Sequence, residues 1–205
     1  MYYQDRNWAV NHQVNHFQES LNEVDEQLFY ELDHYKSIID TSGLEILLKN
    51  DVNYHKKLER KGVGIYIYSG DNLKFWSTNK FIIPKHQAKS GLSKLKNGYY
   101  LQEVIKEGEV TLIAQFFIKK SFGFENSYVR NSFDQKLYLE GGWDIQLYGM
   151  EGGYEIVLNS NKDTLFIKPN GFFQAPHNVT LMVLEVIGLF LFFTGCILLV
   201  RGLNF

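Results

Sequence analysis

His12 and His16 stand four residues apart, a spacing that puts two imidazoles on one face of a helix, where they can hold a zinc ion. No third ligand follows at a metal-site spacing, so the pair reads as a solvated helix face and no metal is expected. Asp33 and His34 are adjacent, and neighbouring helix positions point apart, which rules them out as an acid–base pair. The only cysteine, Cys196, lies inside an apolar run, and no Gly-x-Ser-x-Gly elbow occurs, so nucleophilic catalysis has no nucleophile in context. A single cysteine also excludes a disulfide scaffold and a thiolate zinc site. The chain is expected not to be an enzyme and to carry no cofactor.

Aromatic residues offer more. They make up 16% of the 205 residues, and many fall in short segments with strand character. Tyr66, Trp76, Tyr99, Tyr100 and Tyr128, with Phe124 and Phe133, are candidates to line an apolar cavity. Glu125, Asn126 and Asn131 would supply the few placed polar groups that small-ligand sites use. The competing reading makes the same aromatics the domain core, with Glu125 and Asn126 capping a helix. Charge narrows the ligand class: 21 Lys+Arg against 23 Asp+Glu gives a net −2, which removes the electrostatic case for nucleic acid.

The elements that must position these groups follow from periodicity. Val14, Phe17, Leu21, Val24, Leu28, Leu32, Tyr35 and Ile39 recur every three or four residues, which predicts an amphipathic helix over 11–39. The stripe is close to a heptad, but Glu31 interrupts it, so packing on the chain's own sheet is preferred over a dimer seam. Thr41-Ser42-Gly43 interrupts the helix, and Leu44–Leu48 reads as a further turn or two. Residues 64–68 and 73–78 form one predicted hairpin around Ser69-Gly70-Asp71-Asn72. Residues 99–105 and 110–119 form a second, and the nearly continuous apolar run Val110–Ile118 marks a central strand covered on both faces. Residues 84–96 read as a polar loop and Phe124–Phe133 as a short helix. Strands are expected at 145–148, 154–158 and 165–168. The order predicts an α+β fold, with a long N-terminal helix packed on a mostly antiparallel sheet.

A mean hydropathy of −0.22 describes a water-soluble chain. It conceals Val179–Val200, 22 residues whose only charge is Glu185. As a helix this run spans about 33 Å, enough to cross a bilayer's hydrocarbon core. Arg201 follows at once. By the positive-inside rule it puts the C-terminal end in the cytoplasm and residues 1–178 outside it. No apolar signal-peptide region opens the chain.

Three strings carry a resemblance. Tyr66-Ile-Tyr-Ser-Gly-Asp-Asn-Leu-Lys-Phe-Trp76-Ser-Thr-Asn79 resembles the first hairpin of extracytoplasmic sensing domains in Bacteroidetes-type sensor histidine kinases. Lys96-Asn97-Gly98-Tyr99-Tyr100 resembles their second-hairpin entry, and Ile118–Phe133 the helix after the central strand. The resemblance covers about residues 15–200. It implies a PAS-like or Cache-like periplasmic domain held between two membrane helices and joined to a cytoplasmic output module. Here the first membrane helix is missing. So is the kinase: none of His12, His16, His34, His55, His86 or His177 precedes an acidic residue, and no ATP-binding glycine pattern occurs.

The resulting expectations are a helical segment over 1–50 and an extracytoplasmic sensing domain over 51–178. A transmembrane helix over 179–200 and a cytoplasmic stub over 201–205 follow. The chain is expected to be the sensing module of a bacterial two-component receptor, cut from a longer signalling chain. It would lie in the inner membrane, be homodimeric, and respond to an unknown small molecule or envelope protein. The alternative is a membrane-anchored binding or assembly protein without an output module. An anchored extracytoplasmic enzyme ranks last.

Overall fold

The structure is a computed structural model describing residues 2–48, 56, 58–79, 85–126, 130–139, 142–171 and 187–193. The chain divides into two compact units, Met1–Phe173 and Gln174–Phe205.

The first unit opens with α1, Tyr2–Ser42. It contains no Pro or Gly, so nothing breaks the helix before the expected start at residue 11. At about 1.5 Å per residue it is roughly 60 Å long. It ends where Gly43 takes a left-handed φ of +76° and its N–H donates to the Ile39 carbonyl at 2.9 Å, a glycine C-cap. A 3₁₀ segment, Leu44–Leu48, follows.

Five strands make a large antiparallel sheet: β1 (Val63–Ser69), β2 (Asn72–Trp76), β3 (Gly91–Leu95), β4 (Gly98–Glu107) and β5 (Val110–Lys120), in the order β2-β1-β5-β4-β3. The most apolar strand, β5, lies at the centre, as its composition predicts. Three more strands, β6 (Trp143–Gln146), β7 (Tyr154–Val157) and β8 (Thr164–Pro169), form a small antiparallel sheet in the order β6-β8-β7.

α1 lies over β4 and β5. Every residue of its predicted stripe joins the main core, which also takes in Leu101, Ala114 and Phe116 from the large sheet and Trp143, Ile156 and Ile167 from the small one. The helix therefore packs on its own sheets. A ladder of amides on α1 fastens the small sheet. Gln13 accepts from the buried Trp143 indole at 2.9 Å. Gln18 donates to the Val157 carbonyl at 2.7 Å and accepts from its N–H at 2.9 Å. Asn22 accepts from the Asn159 N–H at 3.1 Å. The β7–β8 turn ties the two sheets together: Asp163 accepts from the Leu92 N–H at 3.0 Å, beside a left-handed Gly91 where a Cβ would lie 1.9 Å from the Asp163 carboxylate. A side chain there would strain the backbone and push the Asp163 carboxylate from the Leu92 N–H.

Two local expectations are corrected. Residues 91–95 are strand β3 rather than loop. Their pattern is polar, and the pairing comes from the tight Lys96-Asn97 reversal onto β4. The described residues of 124–133 are not helical. The Asn131 side chain accepts from the Phe122 N–H at 2.6 Å and donates to its carbonyl at 3.3 Å, while Glu125 accepts from the Asn131 N–H at 2.6 Å. These side-chain bonds satisfy backbone groups that a helix would otherwise pair.

In the second unit, 187–193 are helical and exposed. The remainder of the expected 179–200 span and the 201–205 stub lie outside the described residues. Among the described residues, no helix is long and apolar enough to cross a membrane.

Candidate functional site

Successive residues of a strand face opposite sides of the sheet. The aromatic candidates therefore divide. Tyr66 and Tyr100 lie on the face turned away from α1, in a second cluster with Tyr68, Ala88 and Ile113. Tyr99 lies on the α1 face, in the main core. Trp76 sits on edge strand β2 opposite Tyr66 and is 50% exposed. Glu125 and Asn126 are exposed, and Phe124 is exposed in the same loop. Asn131 spends its side chain on Phe122. Phe133 packs edge-on against Phe17 of α1. Tyr128 lies outside the described residues. The structure thus puts Tyr66 and Tyr100 on one face, with Trp76 opposite Tyr66 at its edge, while Tyr99, Glu125, Asn126 and Asn131 are not part of that cluster.

What lies between those two tyrosines was not singled out from the sequence. Gln115 of β5 is 0% exposed, and neither its Oε1 nor its Nε2 has a hydrogen-bond partner. Across the sheet it faces Gly64, which has no side chain, and Gln102. Tyr66 pairs with Ile113 and Tyr100 with Phe117, so the two rings sit diagonally on either side of Gln115. The only clue in the sequence is one amide within the apolar run Val110–Ile118.

The groups around Gln115 are neutral. Gln102 donates to the Ser93 hydroxyl at 2.7 Å and accepts from the Lys89 N–H at 3.4 Å. The Tyr66 hydroxyl donates to the Thr78 carbonyl at 3.3 Å. The Tyr100 ring meets Phe117 edge-on at 4.7 Å. Burial pushes the Tyr66 phenol well above its ordinary range, reinforced by Tyr100 and Tyr68. Burial raises Tyr100 to about 12, with a hydrogen bond from Asn97 pulling the other way. Both phenols are neutral at physiological pH. The arrangement holds one unpaired amide among neutral aromatic rings, a group able to hydrogen-bond and with no charged or nucleophilic side chain paired across the sheet from it.

No group of three His, Cys, Asp or Glu among the described residues is placed to hold a metal. The His12 and His16 rings are 4.6 Å apart and continue a line of rings from Trp8 to Tyr138 along the outer side of α1. Compared with protein-family models, curated proteins and solved structures, the chain matches none of them.

Proposed function

We propose that this chain is the extracytoplasmic sensing module of a bacterial transmembrane receptor, a PAS-like or Cache-like domain of the sensor histidine kinase type. In this reading it is anchored in the inner membrane by Val179–Val200. The observation that carries the sensing role is Gln115. A buried amide with neither end paired costs about 1–3 kcal/mol, and a small uncharged ligand with its own donor and acceptor would recover that cost. The antiparallel sheet under a long leading helix, and the single charge in the 179–200 run, support the receptor setting. Trp8, Phe29 and Tyr30, exposed on α1, favour a second copy as partner.

The test is a thermal-shift screen of uncharged metabolites on the full chain in detergent, run beside Gln115→Met. A ligand that raises the melting temperature of the native chain and leaves the variant unmoved supports the reading. No responsive ligand, or equal shifts in both proteins, overturns the sensing role. Full extraction of the expressed chain from bacterial membranes by alkaline carbonate overturns the anchored setting. It would also remove the runner-up reading, an anchored binding protein without output.

A further inference from the structure

Tyr99 and Asn131 share a cavity that does not include the Gln115 amide. It is a cleft of about 740 Å³ between the β3–β5 edge of the large sheet and strand β6, a volume that suits a small molecule. Among the described residues its charged lining is unbalanced: Lys94, Lys119 and Lys120 stand with one carboxylate, Asp144, which already accepts from the Asn170 amide at 3.1 Å.

Lys119 is the unusual member. Its ammonium donates to the Trp143 carbonyl and stands 4.7 Å from the centre of the Phe133 ring. Burial lowers its pKa, against the opposing pull of Asp144 and Glu125. No carboxylate among the described residues lies within ion-pair distance of it, in contrast to Lys36 and Lys61, which pair with Glu107 and Glu31. A partly desolvated cation held only by a carbonyl dipole and a ring face gains more from an anion than an exposed lysine does. Lys94 sits 5.2 Å from the Tyr99 ring centre, so the cleft also has an aromatic wall, continued by Ile145 and Leu147. Among the described residues, no arginine and no glycine lines the cleft, so none of them supplies a guanidinium fork or a glycine-built amide nest, the usual phosphate receptors.

We propose that this cleft binds a small organic carboxylate, with the headgroup at Lys119 and the apolar body against Tyr99, Ile145 and Leu147. The site is independent of the Gln115 reading, and either can fail alone.

The test is calorimetric titration of the full chain with benzoate, phenylacetate and isovalerate, each beside its matched amide, and with inorganic phosphate. The expected result is that at least one carboxylate binds about tenfold or more tightly than its amide. Lys119→Met should then weaken that carboxylate by about tenfold or more, with Lys168→Met, outside the cleft, unchanged. If Lys119→Met does not fold, Lys94→Glu at the exposed rim is read in the same way. Absence of carboxylate binding up to about 10 mM overturns the proposal. So does equal binding of the amides, binding of phosphate alone, or full affinity in the folded variant that is read.

Discussion

On the α1 side of the large sheet, a helix presses Phe17, Leu21, Leu28 and Leu32 into Leu101, Ala114 and Phe116, and the small sheet completes the closure. On the other side of the same strands stand Tyr66, Tyr100, Gln102 and an unpaired Gln115. One face is built for stability, because apolar burial is its main content. The other keeps interior hydrogen-bonding groups that an apolar replacement would make unnecessary, at a cost to stability. The contrast teaches that the domain draws its stability from the helix side and leaves the Gln115 amide buried and unpaired on the opposite side.

Three substitutions on the helix side test that division, beside the Gln115→Met comparison on the other face. The largest effect is expected from Leu28→Ala, which empties a fully buried position in the helix seam. It should destabilise the domain by about 3 kcal/mol in chemical denaturation. A loss under about 1 kcal/mol would mean that α1 is not the main source of closure.

Next is Gln18→Ala, which removes two hydrogen bonds to Val157 at once. A loss of about 1–2 kcal/mol is expected, with faster amide exchange in β7 than in β1. Uniform acceleration across both sheets would show that the amide ladder is not what holds the small sheet.

The smallest effect concerns an exception on the apolar side. Glu103 faces α1 from β4 and its pKa is raised, first by burial and then by Asp25 and Asp163, while hydrogen bonds from Ser90 and the Val104 backbone oppose the shift. A raised carboxyl favours the folded state when protonated. The fold therefore carries no penalty below the ordinary carboxylate range, and stability is lost as pH rises from about 4.5 through the raised value. Glu103→Gln should melt higher than the native chain at pH 7, and the difference should vanish near pH 4. A pH-independent difference would assign the effect to packing instead.

Much of the architecture was legible in periodicity. The α1 stripe, both hairpins and the central place of β5 follow from where apolar residues fall, because burial acts on spacing directly. Strand β3 was not legible: Gly91-Leu92-Ser93-Lys94-Leu95 lacks the alternation of a half-buried strand and is held by pairing to β4. The supposed helix after β5 failed for a local reason, since Asn131 competes for the backbone of Phe122. The candidate site was half legible. Tyr66 and Tyr100 do share a face, whereas Tyr99, one residue before Tyr100, cannot join them in a regular strand.

By itself, then, the sequence determined the α1 stripe, the two hairpins with β5 at the centre, the near balance of charge, and the apolar run of 179–200. These depend on composition and on repeats within a few residues. Only the tertiary structure decided that Gln115 is orphaned between two neutral tyrosines, and that Lys119 has no carboxylate within ion-pair distance among the described residues. Whether a polar group finds a partner depends on residues tens of positions away, brought near by strand order and by the path of α1.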